Sequence, residues 1–226
     1  MSLASLAKAE AILFDLDGTL IDTAPDFIGV LNRQLQAHGR ATLPPEKIRA
    51  SVSQGAKAVV ALGFADRVNT DSPEFEALRQ EFLQSYLQHI ADETVLFPGM
   101  DALLTMLEAR GTPWGIVTNK HSMFTTPLLR ALQLDMRCKV AICPDMVSHS
   151  KPHPEPMLKA AGMLNIRPEA CVYVGDHRRD IEAGRNAGMT TVAVGYGYVL
   201  EGESAADWDA DYLVDSVAEL ATLLRI

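Results

Sequence analysis

The spacing of apolar residues changes twice along this chain. Ala11-Ile12-Leu13-Phe14 is a short unbroken apolar run that ends in Asp15 and Asp17, the pattern of a strand buried on both faces. From Asp22 to about Asp92 the period becomes helical. It predicts helices at Asp26–His38, Pro45–Ser53, Ala56–Leu62 and Pro73–Ile90, with Phe75, Leu78, Phe82, Tyr86 and Ile90 on one face of the last. Pro25 and Pro73 stand where helix starts tolerate proline, and Gly39 stands where a helix ends. From Val95 onward strands alternate with helices. The strands fall at Thr112–Val117, Val140–Ile142, Cys171–Val174, Thr191–Val194 and Tyr212–Val214, and the helices at Gly99–Arg110, Ser122–Leu132, Pro154–Leu164, Arg178–Ala187 and Ser216–Leu224. Such alternation predicts an α/β fold, a doubly wound parallel sheet covered on both faces. A small all-helical domain (22–92) is then inserted after the first strand of a core made of 1–21 and 93–226. The two connections are Asp22–Ala24 and Phe97-Pro98-Gly99.

The strand ends carry the chemistry. In open α/β sheets the crevice beyond the C-terminal strand edge holds the ligand. Asp15 and Asp17 end the first strand, and Gly18 lets the chain turn away. Trp114–Val117 runs into Thr118-Asn119-Lys120, where a hydroxyl and backbone N–H groups at a helix start suit an anion. Ser150-Lys151-Pro152 follows another apolar run and brings a point charge suited to a phosphate oxygen or to Asp15. Cys171–Val174 runs into Gly175-Asp176, with Asp180 one helical turn later. A solvated lysine and simple helix-capping aspartates are the bland readings of Lys151 and of the Asp176–Asp180 pair.

Together these segments resemble the haloacid dehalogenase-like hydrolase superfamily. Asp15-x-Asp17-Gly-Thr matches its first motif, Thr118 its second, Lys151 its third and Gly175-Asp176-x-x-x-Asp180 its fourth, in the right order over essentially the whole chain. The resemblance implies a Rossmann-like core with a mobile helical cap. It implies Asp15 as a nucleophile that forms an aspartyl-phosphate, and Asp17 as general acid and base. It also implies a Mg²⁺ held by Asp15, Asp176 and the backbone carbonyl of Asp17, with Asp180 supporting a metal-bound water. Gly18, Thr118, Asn119 and Lys151 form the expected phosphate-binding set. An acid at position 17 matches phosphatases and phosphomutases rather than dehalogenases. Within the superfamily the chain is similar to phosphoglycolate phosphatases and to N-acetylmuramic acid 6-phosphate phosphatases. A phosphomutase and a non-catalytic phosphate-binding module on the same fold are the competing functions.

Charge sharpens that expectation. The formal net charge of −9 argues against a nucleic-acid partner. It also suits an anionic phosphate ester only if a divalent cation supplies the positive charge. No apolar run approaches the roughly 20 residues of a membrane span, which predicts no membrane partner. The N-terminal residues lack the charged and apolar regions of a signal peptide. Cys138, Cys143 and Cys171 have no CxxC spacing, and Cys143 and Cys171 border apolar runs, which fits buried thiols in a reducing compartment, so a cytoplasmic location is expected. The expected partner is a small-molecule phosphate ester, and monomer and homodimer both remain open. Specificity is expected from the helical insertion, where Ser53, Gln54 and Lys57 are the candidate polar contacts; a solvated interhelical turn is the other reading of that segment.

Overall fold

The structure, a computed structural model, describes residues 6, 9–199 and 202–225. The chain opens with strand β1 (Ala11–Phe14) and a short β2 (Ile21–Asp22). Helices α1 (Ala24–Ala37), α2 (Pro45–Arg49), α3 (Ala56–Phe64) and α4 (Pro73–Gln88) follow, and then a short β3 (Val95–Leu96). The remainder alternates: α5 (Met100–Ala109), β4 (Trp114–Val117), α6 (Ser122–Ala131), β5 (Ala141–Ile142), α7 (Glu155–Leu164), β6 (Cys171–Gly175), α8 (Arg178–Asn186), β7 (Thr190–Val194), β8 (Tyr212–Val214) and α9 (Val217–Leu224). The chain divides into two compact units, one of residues 1–22 and 96–226 and one of residues 23–95.

The first unit is built on a six-stranded sheet in the order β5-β4-β1-β6-β7-β8, with parallel pairing throughout. The chain leaves β1 toward β4 and β5 on one side, then returns to β6, β7 and β8 on the other. The strand order therefore reverses between β1 and β6, the topological switch point where such sheets bind ligands. Leu13 pairs with Tyr173 and Phe14 with Val174 in that register, which brings Asp15 and Asp176 to the same end of adjacent strands.

Alternate residues of β1 serve opposite faces. Ala11 and Leu13 share an apolar cluster with Tyr173, with Met157, Ala160 and Ala161 of α7 and with Ala183 of α8. Ile12 and Phe14, also fully buried, supply the other face. Cys143 and Cys171 are buried and Cys138 is half-buried, all as free thiols. Burial pushes Cys138 and Cys171 each up to about 11, which keeps them unreactive.

The second unit is a helical bundle. Phe27 of α1 packs on Phe82 and Tyr86 of α4, with ring centroids 5.5 and 4.6 Å apart. The buried carboxylate of Asp26 ties its two ends together by accepting from the backbone N–H of Ala91 and Glu93 and from the Thr94 hydroxyl. The helix expected over Pro45–Ser53 is shorter than the sequence pattern implies. α2 ends at Arg49 and the chain continues as a 3₁₀ turn over Val52–Gln54, closed by Gly55 at φ +83°. Ser51, Val52 and Ser53 are poor α-helix residues, and a positive φ at Gly55 breaks the helical path. Among the described residues no helix is long and apolar enough to cross a membrane.

Candidate active site

The end of β1 becomes a tight loop. Gly18 N–H donates to the Ile21 carbonyl at 2.9 Å and Ile21 N–H to the Leu16 carbonyl at 3.1 Å, so the chain reverses within six residues. Gly18 sits at φ +83°, and a Cβ there would overlap the Asp176 carboxylate. Only glycine meets both conditions. A Cβ on Gly197 would likewise overlap Asp176 and the Gly18 carbonyl. The Asp176 side chain thus lies in a slot between two glycine backbones. Its Oδ1 accepts from the Thr19 hydroxyl at 3.1 Å, and its Oδ2 from Tyr198 N–H at 2.8 Å.

Lys151 is the hub of the site. Its side chain is fully buried, and Nζ lies 2.8 Å from Asp15 Oδ1 and 2.6 Å from Asp180 Oδ1. Nζ also donates to the Val117 carbonyl at 2.9 Å and contacts the Tyr173 hydroxyl at 3.0 Å. Asn119 fixes the backbone of this residue from both sides, accepting from Lys151 N–H at 3.1 Å and donating to its carbonyl at 3.0 Å. Burial opposes the charge of Lys151, yet Asp15 and Asp180 raise its pKa and hold the ammonium. Asp180 is also the third residue of α8. Its Oδ2 accepts from His177 N–H at 3.1 Å while the His177 ring caps the same helix. Burial, with Arg179 adding to it, lowers His177 to about 4, so the imidazole is a neutral cap.

The carboxylates of Asp15, Asp176 and Asp180 are buried, with oxygens all within 4.8 Å of one another. Fully ionised, the three carboxylates outnumber the Lys151 ammonium and the Arg179 guanidinium that also acts on Asp15, which leaves an excess of negative charge. Burial first, and the neighbouring Asp180 next, raise Asp15 to about 6. Burial with Asp15 and Asp180 raises Asp176 to about 8. Hard oxygen donors with that charge excess fit a divalent cation.

Both shifts have a consequence for stability. Asp15 and Asp176 bind protons more tightly folded than unfolded. Without a cation, their contribution is complete below the ordinary carboxylate value of 3.8 and is lost as pH rises through about 6 and then 8. A cation that displaces those protons therefore stabilises the fold more at high pH. The rise in Tm on adding Mg²⁺ to chelator-treated protein should be larger at about pH 8.5 than at about pH 5.5. Equal rises at both values would contradict a site on these carboxylates.

Asp17 stands apart from this cluster. Its carboxylate is partly exposed and pairs with Lys120 Nζ at 2.9 Å. Lys120, Thr19 and Tyr173 are site residues that sequence reasoning passed over. Lys120 stands two residues after Thr118, and Thr19 belongs to the Asp-Gly-Thr run. The Tyr173 hydroxyl donates to the Val117 carbonyl at 2.7 Å, a cross-strand contact without any sequence signal. Thr118 is buried and its hydroxyl accepts from Lys120 N–H at 3.1 Å. Asp15, Asp17, Gly18, Thr118, Asn119, Lys151, Asp176 and Asp180 all belong to the first unit. Ser53, Gln54 and Lys57 belong to the second: Ser53 is buried and Gln54 exposed in the 3₁₀ turn, and Lys57 pairs with Asp71 at 2.8 Å on the surface.

A parallel sheet with buried carboxylates at its switch point, a buried lysine beside them and a strand–Asp-x-Asp-Gly-Thr turn place acid and cation chemistry at the strand ends of an α/β enzyme core. Residues 12–194 match the haloacid dehalogenase-like hydrolase family, and the chain belongs to it. An N-acetylmuramic acid 6-phosphate phosphatase of Pseudomonas aeruginosa is 45% identical over 96% of this chain and 95% of its own length. A phosphoglycolate phosphatase of Xanthomonas campestris is 41% identical over 93% and 94%. Among solved structures, CbbY from Rhodobacter sphaeroides in complex with phosphate superposes with a TM-score of 0.76 at 26% identity, over 96% of this chain and all of the other.

Proposed function

We propose that the chain is a Mg²⁺-dependent phosphatase of small phosphorylated metabolites, of the phosphoglycolate phosphatase type, working through an aspartyl-phosphate on Asp15. The observation that carries this reading is the buried set Asp15–Lys151–Asp180 beside Asp176, at the strand ends where the family places its chemistry. Asp15, Asp176 and the Asp17 backbone carbonyl would hold the cation, which neutralises phosphoryl charge when bound. Both oxygens of Asp180 already serve Lys151 and His177 N–H, which suits positioning better than direct ligation.

Asp15 attacks phosphorus as the ester P–O bond breaks, and Asp17 gives a proton to the leaving oxygen. Asp17 then takes a proton from the water that attacks the aspartyl-phosphate, which releases inorganic phosphate and restores Asp15. Lys120 fixes the direction of the Asp17 carboxylate, while Lys151 aligns Asp15 and offsets charge on the transferring group. The helical unit would supply specificity through Ser53, Gln54 and Lys57.

A second reading has its own support. The 45% identity to an N-acetylmuramic acid 6-phosphate phosphatase makes an amino-sugar phosphate the alternative substrate. Comparing kcat/KM for 2-phosphoglycolate and N-acetylmuramic acid 6-phosphate decides between them. The phosphoglycolate-type reading expects the first to exceed the second by tenfold or more, and a reversed ratio assigns the sugar. Should Gln54→Ala and Lys57→Ala leave that ratio unchanged, the segment from the 3₁₀ turn to the start of α3 is not the specificity element.

A further inference from the structure

The loop that carries Lys151, together with the first residue of α7, also carries a second group of metal-ligating side chains. His149, His153 and Glu155 stand around it on the surface of the first unit, with ligand atoms all within 4.8 Å of one another. They share no residue with the buried carboxylate set. We propose that these three side chains form a binding site for a borderline transition-metal ion of the Zn²⁺ class, separate from the cation site of the phosphatase reading and independent of that reading.

Geometry and donor chemistry both support it. His149 Nδ1 and Glu155 Oε2 are 3.1 Å apart. Two ligands at about 2.0–2.1 Å from one tetrahedral zinc lie roughly 3.3 Å apart, so a shared ion could replace this hydrogen bond with little movement. The His149 and His153 rings are 4.5 Å apart by centroid and tilted by 33°, which keeps both imidazoles on the same side of the loop. Glu155 is held in place by neutral donors, accepting from the N–H of Ser148 at 2.8 Å and of His149 at 2.9 Å; unlike Asp180, it has no ammonium among the described residues to offset its charge, which leaves that charge for an ion. His153 Nδ1 accepts from Glu155 N–H at 3.2 Å, which orients that ring as well.

Two imidazoles and one carboxylate favour Zn²⁺, Ni²⁺ or Cu²⁺ over Mg²⁺, whereas the all-carboxylate buried set favours the hard ion. The three side chains would leave the fourth position to water. His149 and His153 lie two residues on either side of Lys151, so an ion there would brace the segment that positions the buried ammonium.

Isothermal titration of Zn²⁺ into the purified chain, in millimolar Mg²⁺, tests the site. One zinc per chain should bind to the wild type, and His149→Ala and His153→Ala should each weaken it by about tenfold or more. Asp176→Asn, which lacks a carboxylate of the buried set, should keep that affinity. Both histidines are exposed, so the substitutions do not threaten the fold. No zinc binding to the wild type, unchanged affinity in the histidine variants, or loss of binding in Asp176→Asn would overturn the assignment.

Discussion

Asp15→Asn should lower kcat for phosphate esters by at least about four orders of magnitude while the chain stays folded. An amide keeps the shape of the carboxylate but is too weak a nucleophile to form the acyl phosphate. It also removes one of three crowded carboxylates, so the buried cluster loses repulsion as well as the ion pair with Lys151. These changes oppose one another in stability, and no part of the expected activity loss comes from unfolding. Rapid acid quench with ³²P-labelled ester should trap labelled protein in the wild type and none in Asp15→Asn. A variant that retained more than about a hundredth of wild-type kcat would remove Asp15 from the nucleophile's role.

Lys151→Met should damage both stability and turnover. The methionine keeps an apolar stem and removes the ammonium, leaving the buried carboxylates of Asp15 and Asp180 without their shared cation. Breaking a buried pair by deleting one partner costs about 3–5 kcal/mol, because the remaining charge is buried and uncompensated. Urea unfolding of the chelator-treated protein should show that loss, and kcat should fall by roughly 10²–10³-fold for every ester tested. Unchanged stability would mean that the lysine is not the hub described, whatever its effect on rate.

The part of the site readable from the sequence is the part fixed by strand ends. A run such as Ala11–Phe14 has to be a buried strand, and the residue after it has to emerge at the sheet edge. Asp15, Thr118 and Asp176 follow from that rule. Lys120 does not follow, because its reach to Asp17 depends on how the backbone turns after Thr118, and nothing in the local pattern encodes that turn. Lys151 was legible as a positive charge near the site, but not as a fully buried one bridging two aspartates. Burial of a lysine is set by residues as distant as Asp15 and Val117.

The same distinction holds for the fold. Apolar periods gave the order of helices and strands, and Tyr212–Val214 has the extent that its pattern suggests. The end of α2 was less legible, because Ser51–Gln54 tolerates both a last helical turn and the 3₁₀ turn it adopts. The Ala205–Trp208 turn has no apolar period, yet Ala205 and Trp208 pack against Ile181 and Ala193. Single-turn structure of this kind is fixed by tertiary packing rather than by local propensity.

Cation-dependent phosphomonoester hydrolysis is decided by the release of inorganic phosphate from one ester by the purified chain. The chain should release phosphate steadily with millimolar Mg²⁺, stop when excess EDTA is added, and recover when Mg²⁺ is restored. Full activity in chelator, or no phosphate released from any small ester with Mg²⁺ present, would contradict a cation-dependent phosphatase.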